Sequence, residues 1–231
     1  MTVHTRLERI LMEMEKAAME SGRRLADVKL MAVSKTHSYE EILELFACSQ
    51  MLFGENRVQE VEEKFSLSRP EGMRLHLIGH LQSNKVKKIV PLVDGIDSVD
   101  SLKLAKRISS ACLEMDTLMP ILLQYNTSEE ASKSGFERED ELFRALDEMA
   151  TLQGIRIGGL MTIGPLSGGE KEIRSAFALL RRLQQQCIVR YPHLDFSTLS
   201  MGMSSDFPLA IREGATMVRV GTALFGERQY R

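Results

Sequence analysis

The chain of 231 residues is poor in cysteine, and it lacks any apolar run long enough to cross a membrane. A transmembrane helix needs about 20 consecutive apolar residues, and no run here approaches about 18. The N-terminal segment is charged and periodic, without the continuous apolar stretch and small-residue cleavage site of a signal peptide. These absences predict a soluble cytoplasmic protein with no membrane partner.

The three cysteines, Cys48, Cys112 and Cys187, are widely spaced and form no CxxC pair. A dispersed, odd number of cysteines favours reduced thiols in the cytoplasm over a disulfide framework or a metal site. All three positions fall in stretches with helical periodicity, where packing is the expected role. We therefore predict no metal site.

A large excess of charge of one sign is also absent. Thirty basic residues against 32 acidic ones give a formal net charge of −2, so bulk attraction to nucleic acid is not expected. Hydrophobic residues at 43% and charged residues at 27% are ordinary for a globular protein, which argues against bulk disorder.

Eight short apolar runs alternate with helical patterns along the whole chain. The runs occupy residues 28–34, 51–54, 74–79, 95–99, 119–126, 155–163, 196–202 and 217–221. Buried strands separated by helices indicate βαβ units and a parallel sheet. Eight such units in a chain of this length predict a closed (β/α)8 TIM barrel, preceded by an extra N-terminal helix.

The alternative fold is an open, doubly wound sheet. That fold would need a GxGxxG sequence at the start of the first helix, and no such motif follows residues 28–34. No linker rich in Pro, Gly or Ser divides the chain, so we predict a single domain over residues 1–231.

The first run ends at Ser34, and Lys35 follows it before a helix that Ser38 is expected to cap. Reacting groups in a parallel barrel lie at the C-terminal ends of the strands. Strand alternation places Val33 and Lys35 on the same face. A lysine at the barrel mouth can be desolvated, which makes its amine nucleophilic, as a Schiff-base lysine requires. The alternative is a solvated lysine at a strand end.

Three further turns carry candidate binding residues. Asn56 follows the second run, where capping of the next helix is the default and reaching into the barrel mouth is the alternative. The seventh and eighth runs pass into loops that combine glycine with a hydroxyl, at 201–205 and 221–222. Barrels often bind phosphate with these two loops, so we predict a phosphate site there, with ordinary turn chemistry as the alternative.

Arg219 lies inside the eighth run, two residues before Gly221. An arginine in an otherwise apolar strand is costly unless it meets an acceptor. A ring nitrogen of a ligand held by the predicted phosphate site would serve, and so would a pairing carboxylate. The sequence leaves both open.

Six motifs occur in order along nearly the whole chain. They are AVSK at 32–35, FGENRVQE at 53–60, HLIGHLQSNK at 76–85, GLMTI at 159–163, LSMGMSSDF at 199–207 and VRVGTALFGER at 218–228. In this order they resemble the pyridoxal phosphate homeostasis protein family, which is related to the N-terminal barrel of alanine racemase. The resemblance implies one barrel that binds pyridoxal 5′-phosphate (PLP).

The resemblance also assigns binding residues. They are Lys35, Asn56, Ser204, Arg219, Gly221 and Thr222. Lys35 would form a Schiff base with PLP, Asn56 would lie beside the cofactor, and Arg219 would face the pyridine nitrogen. The other three would hold the phosphate. Because an arginine keeps its proton at neutral pH, the ring nitrogen would stay unprotonated and transamination would be disfavoured.

The function implied by the resemblance is non-catalytic: PLP binding and release in vitamin B6 homeostasis, with PLP-dependent apoenzymes as candidate partners. A PLP-dependent amino-acid racemase is the alternative, and it would need a tyrosine as second base from a further domain. We expect no such domain after Arg231, and none of the four tyrosines lies in a matching motif. We therefore expect a monomeric carrier without catalytic residues. A third alternative on the same fold is an aldolase or a sugar-phosphate isomerase. It is disfavoured because its lysine or glutamate would be expected later in the barrel than the first strand.

Overall fold

The central feature is a closed barrel of eight parallel strands, in a computed structural model that describes residues 2–128, 134–165 and 168–226. The strands are β1 (Lys29–Val33), β2 (Leu52–Glu55), β3 (Arg74–Leu77), β4 (Gly95–Val99), β5 (Met119–Gln124), β6 (Ile155–Met161), β7 (Thr198–Ser200) and β8 (Met217–Val220). Each strand pairs with the next one in sequence, and β8 closes the barrel on β1, with Met31 opposite Arg219. The predicted (β/α)8 fold is confirmed.

Helices separate the strands and surround the barrel. They are α1 (Val3–Glu20), α2 (Tyr39–Ala47), α3 (Val58–Phe65), α4 (Val86–Ile89), α5 (Leu102–Glu114), α6 (Glu139–Met149), α7 (Glu170–Arg190), α8 (Phe207–Arg212) and α9 (Thr222–Phe225). Helix α2 begins where the sequence predicts, because Ser38 and Glu41 form a reciprocal capping box. The extra N-terminal helix is also confirmed.

Helix α1 takes the place of a final barrel helix. Because α9 has only four residues, α1 packs against α8 and α9 and covers that side of the barrel. Leu7, Ile10 and Met14 form its buried face. The Arg6 side chain donates a hydrogen bond to the carbonyl oxygen of Leu224. The first helix is therefore fastened to the last one.

Strand alternation separates two apolar clusters. Leu30 and Ala32 point outward into the layer between the strands and the helices. Met31 and Val33 point into the barrel interior, where they pack in a smaller cluster with side chains from other strands. The same alternation carries Lys35, two residues beyond Val33, toward the mouth of the interior.

The structure differs from the sequence prediction at some element ends. The helical pattern after the third run becomes a 3-10 turn (Ser83–Lys85), the short α4 and a second 3-10 turn (Val90–Leu92). Pro91 has no N–H to donate, which prevents α4 from continuing. The fifth run was predicted to extend to residue 126, whereas β5 ends at Gln124.

No helix in the ranges that the structure describes combines the length and apolar character that a membrane span requires. Within the same ranges, no group of three His, Cys, Asp or Glu side chains is arranged to hold a metal ion. All three cysteines are free thiols, and burial raises the pKa of Cys187 to about 12. Such a thiol is unreactive at neutral pH.

Candidate functional site

Lys35 lies on a tight turn at the C-terminal mouth of the barrel. The buried Ser34 extends the β1 pairing, since its N–H donates to the carbonyl oxygen of Gly54 at 3.0 Å. Thr36 follows with a φ of 67°, which a β-branched residue rarely adopts. Lys35 is half-buried between these two residues. The turn therefore holds Lys35 at the strand end, as the sequence predicts.

A buried ion network, here called the Lys64 network, supports this turn. The Lys64 ammonium of α3 donates to Glu55 Oε1 and Glu60 Oε2, both at 2.8 Å, and to the Ser34 carbonyl oxygen at 3.0 Å. The Ser34 hydroxyl donates to Glu55 Oε1 at 2.8 Å, and the Thr36 N–H donates to Glu60 Oε2 at 2.7 Å. The network therefore joins β1, β2 and α3 directly beneath Lys35.

The two carboxylates of the network are in different environments. Burial raises the pKa of Glu55, although Lys64 and Ser34 offset part of this effect. Burial also opposes ionisation of Glu60, but hydrogen bonds from Lys64 and the Thr36 N–H outweigh it and lower the pKa of Glu60. Sequence reasoning missed these residues. The spacing of Glu60 and Lys64 by four positions was the available signal.

Asn56 directly follows β2, but it does not cap the next helix. Helix α3 begins at Val58 after the N-cap residue Arg57, and no side-chain hydrogen bond caps it, so the capping interpretation of Asn56 is wrong. The half-buried Asn56 packs against the turn after β3, where a Cβ on Gly79 would lie 2.0 Å from the Asn56 carbonyl oxygen. A groove of about 530 Å³, lined in part by Asn56 and His80, opens between these turns.

The loops after β7 and β8 meet at Ser204. Its hydroxyl oxygen accepts hydrogen bonds from the N–H groups of Gly221 (3.3 Å) and Ala223 (3.4 Å). Thr222 is the exposed first residue of α9. A Cβ on Gly221 would lie 3.1 Å from the Val33 carbonyl oxygen, so any larger residue would crowd the end of β1. The structure therefore brings Ser204, Gly221 and Thr222 together beside the Lys35 turn.

The loop that carries Ser204 is fixed on both sides. Gly202 has a φ of 92°, and a Cβ there would lie 2.5 Å from the Ala210 Cβ. Asp206 Oδ1 accepts a hydrogen bond from the Met203 N–H at 2.6 Å. Burial raises the pKa of Asp206, and the Met203 N–H and Arg219 partly offset that effect.

Arg219 is buried inside the barrel, with only 4% of its surface exposed. Its Nη1 donates to Ser200 Oγ and its Nη2 donates to the Thr162 carbonyl oxygen, both at 2.7 Å. These acceptors are neutral, in contrast to the pairing carboxylate that one interpretation of the sequence predicted. Burial lowers the pKa of Arg219 to about 10, opposed by Asp97 and Asp206, so the guanidinium stays charged at neutral pH. Sequence reasoning did not identify the two acceptors.

Deeper in the barrel, Asp97 of β4 accepts a hydrogen bond from His76 of β3, with 2.9 Å between Oδ1 and Nδ1. Burial opposes the charged form of His76, but Asp97 outweighs this effect and raises the pKa of His76. Asp97 Oδ2 is buried and has no hydrogen-bond partner in the described part of the chain. Polar groups thus continue from Arg219 toward the opposite end of the barrel.

The family model for the N-terminal domain of alanine racemase matches residues 14–229. The pyridoxal phosphate homeostasis protein of Vibrio cholerae is 40% identical over 233 positions, covering 99% of this chain and 98% of the relative. The chain belongs to the pyridoxal phosphate homeostasis protein family.

Solved structures extend this family likeness to three dimensions. PipY of Synechococcus elongatus without PLP is 38% identical, with a TM-score of 0.89 over 97% of this chain and 100% of PipY. PipY with PLP bound gives a TM-score of 0.84 with the same coverage. An alanine racemase of Clostridium difficile is 15% identical, with a TM-score of 0.72 over 88% of this chain and 53% of the racemase. That last likeness shows the fold alone.

Proposed function

We propose that this protein binds PLP at the C-terminal mouth of its barrel, through a Schiff base with Lys35, and serves vitamin B6 homeostasis. Support comes from the role named for the Vibrio cholerae relative and from the PipY structure with PLP bound. The observation that carries the proposal is the arrangement along β8. The buried, charged Arg219 lies on this strand, two residues before the Gly221 turn that follows it, and β8 pairs directly with the strand preceding Lys35.

The residues present at the mouth fit PLP. A phosphate group needs N–H and O–H donors, and the turn after β8 gathers two N–H groups around Ser204, with the Thr222 hydroxyl nearby. PLP supplies an aldehyde, for which the Lys35 amine is a suitable nucleophile. Arg219 can donate to a ring nitrogen but does not protonate it, because its pKa of about 10 keeps the guanidinium charged. Asn56 would lie beside the ring.

The same features favour a carrier over a racemase. The Tyr39 and Tyr125 hydroxyls donate to backbone carbonyl oxygens at 3.0 and 3.1 Å, and the Tyr191 hydroxyl donates to Asp147 Oδ1 at 2.6 Å. Tyr230 lies outside the described residues. A ring held by Arg219 is a poor electron sink, which disfavours removal of a proton from a bound amino acid. The proposal therefore assigns no catalytic residue.

Other parts of the proposal rest on the sequence and on the family resemblance, and not on the geometry of the mouth. They are transfer of PLP to apoenzymes, a cytoplasmic location, a monomeric state and a single domain over residues 1–231. Each would be tested separately from PLP binding.

Borohydride trapping tests the role of Lys35. The purified protein is loaded with PLP, reduced with borohydride, digested and analysed by mass spectrometry. We expect the pyridoxyl adduct on Lys35, and no adduct with pyridoxine 5′-phosphate, which has no aldehyde. Lys85, which lines the groove beside Asn56, provides the internal control. An adduct on Lys85 in place of Lys35 would refute the assignment.

Deuterium exchange at the Cα of alanine, with chiral analysis of the product, distinguishes a carrier from a racemase. General acid–base catalysis contributes typically about 10²–10⁴-fold, so a site without a second base should show little racemisation. Turnover of about 1 s⁻¹ or more, as is typical of enzymes, would refute the carrier function and support a racemase.

A further inference from the structure

Two side chains of α3 bind the two peptide groups that flank Lys35. The Lys64 ammonium donates to the carbonyl oxygen of Ser34, which belongs to the peptide bond before Lys35. Glu60 Oε2 accepts from the N–H of Thr36, which belongs to the peptide bond after Lys35. A 2.8 Å hydrogen bond joins Lys64 to Glu60. Both ends of residue 35 are therefore tied to one ion pair that is largely shielded from solvent.

This connection has little freedom. The side chains of Lys64 and Glu60 are only 12% and 14% exposed, and that of Glu55 is fully buried. A lysine ammonium has three N–H donors, and Lys64 uses all three, on Glu55, Glu60 and Ser34. Charge-assisted hydrogen bonds of this kind are the stronger ones in proteins. The Lys64 network can therefore fix the direction of the turn.

The turn itself needs such support. Thr36 holds a positive φ of 67° without being glycine, a conformation that persists only where the surroundings impose it. The hydrogen bond from the Thr36 N–H to Glu60 is 2.7 Å long and is formed in that conformation. Loss of this bond would let the backbone relax and turn the Lys35 side chain away from its present direction.

We propose that Lys64 and Glu60 are positioning residues for Lys35, which hold its backbone so that the amine meets an aldehyde ligand in the barrel mouth. This inference rests on the proposed function, in which Lys35 forms the Schiff base with PLP. The two residues act on the Lys35 turn and not on the loops around Ser204. They therefore control capture of an aldehyde but not retention of a phosphate.

Two ligands separate these effects. PLP offers both an aldehyde and a phosphate, whereas pyridoxine 5′-phosphate offers the phosphate and ring without the aldehyde. Replacement of Glu60 by Ala removes the acceptor for Thr36 and leaves the buried Lys64–Glu55 pair in place. We expect Glu60→Ala to raise the Kd for PLP by about tenfold or more, as for loss of one charge-assisted hydrogen bond. Binding of pyridoxine 5′-phosphate should be unchanged.

The conservative variant and a matched control sharpen this test. Glu60→Gln keeps an oxygen that can accept from the Thr36 N–H, so it should restore most of the PLP affinity. Lys106→Met removes an exposed ion pair with Glu148 on the outer helices and should change neither ligand's binding. The double variant Lys64→Met/Glu55→Gln removes the ammonium together with the fully buried carboxylate, and leaves Glu60 with the Thr36 N–H as its hydrogen-bond partner. It should reproduce the selective loss of PLP binding.

Hydrogen–deuterium exchange of the Thr36 amide in the ligand-free protein provides an independent readout. The amide should exchange faster in Glu60→Ala than in the wild type, and Glu60→Gln should be intermediate. Wild-type exchange in Glu60→Ala would mean that this hydrogen bond does not hold the turn.

The Schiff-base role of Lys35 and the positioning role of Lys64 and Glu60 can fail separately, and the experiments distinguish the two outcomes. If Lys35→Ala keeps the wild-type preference for PLP over pyridoxine 5′-phosphate, Lys35 does not form the Schiff base and the proposed function fails. If Lys35→Ala loses that preference while Glu60→Ala keeps it, only the positioning role fails. Equal weakening of both ligands by Glu60→Ala would also overturn the positioning role, since it would indicate general damage.

Discussion

Strand β1 has a lysine at each end, and the two lie on the same face of the strand. Lys29 begins β1, is exposed, and lines a cavity of about 440 Å³ at the N-terminal end of the barrel. Lys35 follows β1 at the C-terminal mouth, is half-buried, and has both flanking peptide groups bound by the Lys64 network. The same residue type on the same face therefore meets two different environments.

At the N-terminal end, several of the charged groups pair with one another. Arg69 and Arg74 both pair with Asp94, at 2.8 and 3.2 Å, and His76 pairs with Asp97 at 2.9 Å. At the C-terminal mouth, the Lys64 network is also paired internally, whereas the loop around Ser204 presents N–H and O–H groups beside the end of β8, with Asp206 bound to the Met203 N–H. The N–H and O–H groups of the loop around Ser204 are therefore the part of the C-terminal mouth that suits an external anion.

Exchange of either lysine for alanine gives the largest expected contrast. Lys35→Ala should abolish covalent capture of PLP. The expected signs are loss of the visible absorbance band that a PLP Schiff base gives and loss of the borohydride-trapped adduct. Lys29→Ala should retain both, because Lys29 lies at the opposite end of the strand. If Lys29→Ala lost the adduct and Lys35→Ala kept it, the Schiff base would have to be placed at the N-terminal end of β1 instead.

Arginine replacements probe the same contrast through stability. Arg219→Met should lower the free energy of unfolding, because the buried Ser200 hydroxyl oxygen and the Thr162 carbonyl oxygen each lose a donor, at about 1–3 kcal/mol for each buried polar group left unsatisfied. Arg74→Met should change it little, since the Arg74 side chain is 67% exposed in its pair with Asp94. Urea denaturation of both variants measures this. A similar change in the free energy of unfolding for both variants would mean that Arg219 contributes no more to stability than the exposed Arg74.

Hydroxyl deletions test the predicted phosphate loops. Replacing Ser204 and Thr222 together by Ala should weaken PLP binding, with about 1.5–3 kcal/mol for each hydrogen bond lost to a charged group. Pyridoxal, which lacks the phosphate, should discriminate far less between the variant and the wild type. Ser197→Ala, at the N-terminal end of β7, is the matched control. Equal losses for PLP and pyridoxal would remove the phosphate role from these loops.

The smallest expected effect is a pH dependence at the N-terminal end. The pKa of His76 is raised from 6.5, through Asp97 and Asp94 and against burial and Lys29. Its stabilising contribution is therefore fully present below about pH 6.5 and is lost as the pH rises through the folded-state pKa. The stability difference between the wild type and His76→Gln should shrink as the pH rises above about 6.5. A constant difference across this range would show that His76 does not titrate in the pair with Asp97.

The barrel and the position of Lys35 could be predicted because their signals are local. Alternation of apolar residues along 28–34 sets which side of β1 each side chain occupies, and Lys35 continues that alternation. The glycine and hydroxyl at Gly221 and Thr222 likewise mark their own turn. In these segments, short-range pattern and three-dimensional position agree.

The Lys64 network could not be predicted in the same way. Ser34, Glu55 and Lys64 belong to three different elements, and only the closed barrel shows which of many charged residues meet. Glu55 is fully buried within a strand, which the sequence gives no direct sign of. Capping was the default interpretation for the position of Asn56, and it is wrong because the N-cap is Arg57 and α3 begins at Val58, its first buried residue.

The fastening of α1 to the end of the barrel has a consequence for biosynthesis. The hydrogen bond from Arg6 to Leu224 joins residues 218 positions apart in the chain. At about 5–20 residues per second, the helix made first waits roughly 10–45 s before the ribosome has produced its docking surface. During that interval its apolar face, which includes Leu7 and Ile10, lacks the cover of α8 and α9, so nascent chains of this protein should expose apolar surface until translation is nearly complete.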